Sequence, residues 1–185
     1  YPIMCQSSGK YGTDDNFEEI DLMIGMKKVV VVGEIKCIHY SIEPFNYHDA
    51  WKRLKEGCEQ ARRKADFVIA HPKYFPKMGE FAGNGVLPIV VTNYPTFVGF
   101  EHHGVYVIDS HSLLAYMESG FMSARRTSGI GNEILGAKRF YHNEEEFSDN
   151  FEKYVKNHPI KEQMKKMLYI QDHPILAGVE PWKVT

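Results

Sequence analysis

Apolar residues are concentrated near the start of the chain in two runs, at residues 19–24 and 29–37. The segment between them, residues 25–28, contains a glycine and two lysines and is short enough for a tight turn. This pattern predicts an antiparallel β-hairpin. Residues 1–17 are polar and carry Ser-Ser-Gly and Tyr-Gly-Thr-Asp-Asp, so we predict a loop before the first strand.

The middle of the chain alternates between helical and strand-like patterns. Apolar residues recur at helical spacing over residues 46–65, where Asn46 can cap the first turn. Short runs rich in β-branched residues predict strands at residues 66–70, 86–93 and 104–110. Strands that alternate with helices after a hairpin indicate an α/β fold with a mixed sheet that is flanked by helices.

The last third of the chain is predicted to be mostly helical. Glycine and serine are frequent at residues 119–136, which predicts a loop. Helical periodicity predicts helices at residues 113–118, 144–156 and 161–170. We therefore expect a core at residues 1–118 and a helical extension at residues 119–185 that packs on the core or on a partner.

Both ends of the chain indicate a larger assembly. The sequence begins with Tyr-Pro-Ile rather than methionine, so we expect it to be a piece of a longer protein. The tail carries apolar side chains that another domain or subunit can bury, although local packing explains them equally well: Ile175, Leu176, Val179 and Trp182.

Composition restricts the classes of function. The net charge of -2 does not indicate nucleic-acid binding by the whole chain, so such binding would depend on local basic patches. The sequence has no apolar run near the roughly 20 residues that a membrane-spanning helix needs, and we expect no membrane partner. The three cysteines fit neither a disulfide framework nor a zinc motif, which favours a cytoplasmic location.

Three charged residues interrupt the apolar hairpin. Side chains alternate along a strand, so Glu34 and Lys36 share one face, and Asp21 lies nearly opposite Glu34 in the antiparallel pair. Two carboxylates together with the backbone carbonyl of Ile35 are hard oxygen ligands that suit Mg²⁺ or Mn²⁺. The alternative is a plain salt bridge on the hairpin.

These residues carry a resemblance to a known family. The sequence "EIDLMI" followed by "VVVVGEIKC" resembles the signature of the PD-(D/E)XK nuclease superfamily, which has the restriction-endonuclease-like fold. The order of elements over residues 17–118 is similar to that of its branch of Mrr-type and Holliday-junction-resolvase-like domains. The Pro-Asp pair of the family name is absent, because Ile20 precedes the aspartate.

The resemblance implies a function and assigns roles. It implies an endonuclease that requires Mg²⁺ or Mn²⁺ and works in a prokaryotic defence or restriction system. DNA is the favoured substrate, and RNA stays open as the alternative. Asp21 and Glu34 match the metal ligands, and Lys36 matches the catalytic lysine. Many members carry a further glutamate on a preceding helix. Here that glutamate either lies outside this sequence, is unused, or is partly replaced by Glu19. Some members place a glutamine on the following helix, where Gln60 stands. Ordinary exposed side chains are the alternative for both.

Phosphate contacts are expected from local basic segments. Residues 52–64 contain six basic and two acidic side chains, so this helix is locally positive, although a solvated helix face explains it equally well. The candidate nucleic-acid contacts are Lys52, Arg53, Arg63, Lys64, Arg125 and Arg126. Two other functions stay open: a nuclease-like module without catalysis that binds nucleic acid or assembles a complex, and an unrelated α/β enzyme.

Overall fold

Six strands form one mixed sheet. The computed structural model describes residues 4–13, 16–40, 43–76, 85–128 and 131–162. The strands are β1 (Met4–Thr13), β2 (Asn16–Gly25), β3 (Val29–Lys36), β4 (Gly85–Thr92), β5 (Glu101–His102) and β6 (Val105–Asp109). Their order is β1-β2-β3-β4-β6-β5. The pairs β1–β2, β2–β3 and β5–β6 are antiparallel, whereas β3–β4 and β4–β6 are parallel.

Helices cover both faces of this sheet. They are α1 (Pro44–Ala70), α2 (Ser110–Ser119) and α3 (Glu144–Lys156), and a separate hairpin consists of β7 (Phe121–Ser128) and β8 (Gly131–Arg139). Along β3, Val30 and Val32 pack in the clusters that contain α1, whereas Val29 and Val31 pack with α2 and α3. The alternation of a strand thus places successive valines on opposite faces. No helix in the described part of the chain has the length and apolar character needed to cross a bilayer.

The helix α3 is built into the main core. Phe151 and Tyr116 are fully buried in one cluster with the strands, and each such side chain contributes about 1.5–3 kcal/mol through burial. The hydroxyl of Tyr116 donates a hydrogen bond to the carbonyl of Phe147 at 2.7 Å. The hydroxyl of Tyr154 donates to the carbonyl of Ser112 at 2.9 Å, so α2 and α3 are joined by polar contacts as well.

The predicted N-terminal loop is wrong. Met4–Thr13 is an edge strand that pairs with β2 from the Met4–Gly25 pair to the Thr13–Asn16 pair. An edge strand accepts serine, glycine and lysine because only one of its sides is hydrogen-bonded within the sheet. The alternation of apolar residues that identifies a buried strand is therefore missing from this segment.

The predicted strand at residues 66–70 is also wrong, because these residues form the last turns of α1. Phe67 and Val68 are buried and continue the helical stripe of Ala61 and Ala65. A short apolar run does not distinguish a strand from a buried helix segment by its periodicity. At the other end the helix begins earlier than predicted, with Pro44 in its first turn rather than with Asn46 as the cap.

The predicted loop at residues 119–136 is a hairpin instead. Strands β7 and β8 pair from Phe121–Arg139 to Ser128–Gly131, with an irregularity between Ala124 and Arg125. Its glycines and serines conceal the strand pattern. The strands predicted at residues 86–93 and 104–110 and the helices predicted at 113–118 and 144–156 are confirmed. Most of the predicted helix at 161–170, and the tail residues Ile175, Leu176, Val179 and Trp182, lie outside the described residues.

Candidate active site

The carboxylate of Asp21 stands where the pairing of β2 and β3 ends. The last paired residues are Leu22 and Gly33, and a Cβ on Gly33 would lie 3.1 Å from Cβ of Leu22. Beyond this point, Oδ2 of Asp21 accepts a hydrogen bond from the N–H of Ile35 at 3.0 Å. The side chain of Asp21 thus takes the place of a strand–strand hydrogen bond, which fixes its carboxylate beside β3.

Glu34 is a buried carboxylate that contacts two ammonium groups. It is only 5% exposed and lies on the face of β3 that α1 covers. Its Oε1 is 2.7 Å from Nζ of Lys36, and its Oε2 accepts a hydrogen bond from Nζ of Lys64. A buried carboxylate is costly without compensation, and these two partners provide it.

Lys64 connects the two carboxylates. Its Nζ also donates to Oδ1 of Asp21 at 3.1 Å, so one ammonium group contacts both Asp21 and Glu34. Lys64 is 6% exposed, whereas Lys52 and Arg53 lie on the exposed face of α1. Lys64 therefore does not share the exposed face of Lys52 and Arg53, because the stripe on which it lies faces the sheet. Its contact with a phosphate stays a prediction.

Lys36 is held between Glu34 and α1. Its Nζ donates a hydrogen bond to Oε1 of Gln60 at 2.5 Å. A Cβ on Gly57 would lie 3.0 Å from Cγ of Lys36 and 3.2 Å from its Cε, so the glycine leaves room for the lysine chain to cross the helix. The structure thus brings Asp21, Glu34, Lys36 and Gln60 together.

The surroundings of Asp21 favour its ionised form. Burial alone would raise the pKa of Asp21, but the opposing contributions are larger in sum. The N–H of Ile35, the hydrogen bonds with Lys64 and Glu34 and the charge of Lys64 together lower the pKa of Asp21 below its ordinary value. Asp21 is therefore ionised at neutral pH and available as an oxygen ligand.

A second ion pair borders the site. Nε and Nη2 of Arg63 bind Oε1 and Oε2 of Glu18 at 2.5 and 3.1 Å. This hydrogen bonding raises the pKa of Arg63. Burial opposes the increase, whereas the negative charges of Glu18 and Glu34 add to it. The sequence predicts that Arg63 contacts phosphate. In the structure its side chain is 61% exposed, and its guanidinium binds the carboxylate of Glu18 on β2.

The remaining candidates lie elsewhere. Glu19 is exposed on β2, opposite Lys10 in the strand pairing. Arg125 and Arg126 belong to β7, in the separate two-stranded sheet, and their side chains lie outside what the structure describes. Glu19 therefore makes none of the described contacts around Glu34.

The sequence interpretation missed the roles of Lys64 and Glu18. A signal for Lys64 was present: it follows Gly57 by seven positions and Ala61 by three, which places it on a buried helical stripe. The basic composition of the helix concealed that position. No comparable periodic signal marks Glu18, because its partner Arg63 is distant in sequence.

The fit of this cluster to a metal ion depends on its donor atoms. The described residues contain no group of three or more His, Cys, Asp and Glu side chains that could hold a metal. Two carboxylates, Asp21 and Glu34, and the carbonyl of Ile35 nevertheless fit Mg²⁺ or Mn²⁺, because Mg²⁺ commonly keeps several waters and takes one or two carboxylates. The donor chemistry fits, with the ammonium of Lys64 lying between the carboxylates.

The environment of Cys58 does not favour cysteine chemistry at this residue. A cleft of about 680 Å³ along α1 is lined by Cys58, Arg62, Arg63 and the neighbouring histidines. Burial, followed by the charges of Glu59 and Glu101, raises the pKa of Cys58 to about 11. The thiol is therefore protonated at neutral pH and is a poor nucleophile or metal ligand.

Comparisons with known proteins find no match for this chain. No protein-family model, no curated protein and no solved structure matches it. What the cluster of carboxylates and lysines can do therefore follows from its own geometry and chemistry. The molecule is a mixed α/β protein with a six-stranded sheet.

Proposed function

We propose that this chain is a nuclease that requires Mg²⁺ or Mn²⁺ and cuts phosphodiester bonds, most directly as a DNA endonuclease. The observation that carries the proposal is the convergence of Asp21 and Glu34 on a single cationic group, with Nζ of Lys36 2.7 Å from Glu34. The contact of both carboxylates with one ammonium group supports their assignment to one shared metal ion.

The arrangement of elements supports a restriction-endonuclease-like fold. An antiparallel hairpin leads into parallel strands, and helices cover both faces of the sheet. The carboxylates come from the two hairpin strands at the point where they separate. This is the position that the resemblance assigns to the site, and it places the reactive groups on rigid elements.

Each residue has a role in the proposed reaction. Asp21, Glu34 and the carbonyl of Ile35 would hold the metal ion, which when bound supplies an activated water and offsets charge on the phosphate. The ammonium of Lys36 orients the attacking water and stabilises the negative charge that develops on the phosphate oxygens. Gln60 acts through Lys36, because its Oε1 accepts a hydrogen bond from that ammonium.

Substrate binding is assigned to the exposed side of α1. Lys52 and Arg53 are exposed there and can neutralise phosphates without reading the base sequence. DNA as the substrate, a role in prokaryotic defence and association with further domains or subunits belong to the same proposal and derive from the sequence resemblance. A cytoplasmic location is part of it too.

One observation favours a second candidate function. Lys64 and Lys36 already balance the charges of Asp21 and Glu34, so the cluster is electrically compensated without a metal ion. A nuclease-like module that binds nucleic acid or assembles a complex, without catalysis, would have this property. The two candidates differ in whether metal ions produce cleavage.

The test is a cleavage assay with matched metal conditions. The purified protein is incubated with supercoiled plasmid, linear DNA and RNA in Mg²⁺, Mn²⁺ or EDTA, and Glu34→Gln serves as the control variant. We expect nicked or linear plasmid in Mg²⁺ or Mn²⁺, and intact plasmid in EDTA and with the variant. Retention of labelled DNA without cleavage under every condition would favour the non-catalytic module.

A further inference from the structure

The ammonium of Lys64 occupies the position between the two carboxylates. It donates to Oδ1 of Asp21 at 3.1 Å and to Oε2 of Glu34. Its side chain is 7% exposed, and that of Glu34 is equally buried. Lys64 thus reaches this position from α1, on the opposite side of the carboxylates from the strands that carry them.

We propose that Lys64 is a tethered cation that competes with the divalent metal for the Asp21–Glu34 site. The metal ion and the ammonium group exclude one another, and metal binding displaces the Lys64 side chain. This inference rests on the proposed function and adds a mode of regulation to the same site.

The first argument for exclusion is steric. A Mg²⁺ ion coordinated by both carboxylates lies about 2.1 Å from each ligand oxygen. The ammonium of Lys64 is hydrogen-bonded to one oxygen of each carboxylate, so it stands at the point that such an ion would occupy. One of the two cations has to leave.

The second argument is electrostatic. With Lys64 in place, two carboxylates face two ammonium groups, and a dication would meet no net negative charge. With Lys64 displaced, the site has a net charge of one negative unit, which attracts the metal. The repulsion between a dication and a nearby ammonium in a partly buried site is substantial.

The two lysines of the site differ in how firmly they are held. Lys36 has a partner on α1, because Gln60 accepts a hydrogen bond from its Nζ, and Gly57 leaves space for its chain. The contacts of Lys64 are with the carboxylates themselves. Metal binding therefore removes the partners of Lys64 but leaves Lys36 in position, and the flexible four-carbon chain of lysine allows the movement.

Competition has a consequence for regulation. A metal ion must displace an internal charge before it binds, so the apparent metal affinity is lower than the two carboxylates alone would give. A phosphate group of the substrate adds negative charge and favours the exchange. The protein can thus fold with its buried glutamate compensated and load the metal together with the substrate.

The test compares metal binding by variants of the full chain. Mn²⁺ affinity is measured by calorimetry for the wild type, Lys64→Gln, Lys64→Arg and Lys52→Gln. We expect Lys64→Gln to bind Mn²⁺ about tenfold or more tightly, because the competing charge is gone. Lys64→Arg keeps the charge and should bind weakly, and Lys52→Gln should match the wild type because Lys52 is exposed on the same helix.

A measurement on the wild type avoids any folding defect of the variants. An amine-reactive label followed by peptide mass spectrometry reports whether each lysine is accessible. Lys64 should be protected without metal and become labelled at saturating Mn²⁺, whereas labelling of Lys52 should not change. A Lys64 that stays protected at saturation, or an unchanged Mn²⁺ affinity in Lys64→Gln, would overturn the inference.

The outcomes also separate this inference from the proposed nuclease function. Tighter Mn²⁺ binding by Lys64→Gln without cleavage by any form supports competition and contradicts the nuclease. Cleavage by a wild type whose Lys64 stays protected supports the nuclease and contradicts competition. If neither the wild type nor Lys64→Gln binds Mn²⁺, both are wrong, and Lys64 is a permanent structural counter-ion.

Discussion

The ammonium of Lys36 donates a hydrogen bond to Oε1 of Gln60 at 2.5 Å, which ties the end of β3 to the middle of α1. The same ammonium is 2.7 Å from Oε1 of Glu34. Two partners on different elements therefore restrict where the lysine can point. A catalytic ammonium needs such restriction, because a group that is misplaced by an ångström loses much of its effect.

The first prediction concerns Gly57, next to which Lys36 passes. Gly57→Ala adds a Cβ 3.0 Å from Cγ of Lys36, so the lysine chain must shift, which disturbs its hydrogen bond with Gln60. We expect cleavage to fall about tenfold or more. The free energy of unfolding should stay equal or increase slightly, because alanine is favoured over glycine within a helix by up to about 1 kcal/mol. Initial rates and urea unfolding measure the two effects.

Gly85→Ala is the matched control, because a Cβ at Gly85 meets nothing within 4 Å in the described structure. It should leave cleavage unchanged. Equal loss of activity in both variants would show that the packing beside Lys36 has no special role in cleavage. Unfolding of Gly57→Ala would show that the fold, rather than the position of Lys36, requires this glycine.

The second prediction separates the roles of Glu34 and Lys36. Glu34→Gln should weaken metal binding, and additional Mn²⁺ should partly restore cleavage. Lys36→Met should reduce turnover by about 100-fold or more at every metal concentration, because it removes a group that stabilises the transition state. Its metal affinity should stay equal or rise, since a nearby positive charge is gone. Calorimetry and cleavage assays over a range of Mn²⁺ concentrations test both variants.

Circular dichroism is the control for folding, and both variants should keep the parent spectrum. Unfolding of both, combined with a parent protein that does not respond to metal, would identify the cluster as a structural ion network.

The third prediction tests the exposed face of α1. Reversing charge at Lys52 and Arg53 to glutamate should weaken binding to all DNA sequences alike. The slope of log affinity against log salt should flatten by roughly one unit for each lost phosphate contact. Lys153→Glu is the control, because this exposed lysine lies on α3, across the sheet. An identical slope in the double variant and in the control would make the α1 face merely solvated.

The fourth prediction concerns His158, which is fully buried. Burial, only partly opposed by the charge of Asp109, lowers the pKa of His158 to about 4. The unfolded chain therefore binds more protons between pH 6.5 and 4, and the folded protein loses stability as the pH falls through this range. From pH 7 to pH 5 we expect a loss on the order of 2 kcal/mol from this residue.

His158→Gln cannot take up the proton and should remove that part of the pH dependence. Urea unfolding of both forms at pH 7 and pH 5 provides the measurement. If the two proteins lost the same stability between these pH values, His158 would not be the group responsible.

The hairpin could be predicted from the sequence because the residues that determine it are neighbours along the chain. The valines of β3 and the spacing of Asp21, Glu34 and Lys36 are periodic features of one short segment. The edge strand β1 could not, since its sequence meets few demands from the core. The burial of Lys64 could not be predicted either, because it depends on Glu34 on the sheet rather than on the neighbours of Lys64 in sequence. A lysine in a basic helix is expected to be exposed to solvent unless a buried carboxylate such as Glu34 pairs with it.

The length of α1 has a mechanical consequence. Its 27 residues span about 40 Å. This single helix carries Gly57, Gln60 and Lys64. Because a helix resists bending, a tilt of its amino-terminal half displaces all three residues together. A ligand that bound Lys52 and Arg53 would therefore act on the same helix that carries Gln60 and Lys64 to the carboxylates of the sheet.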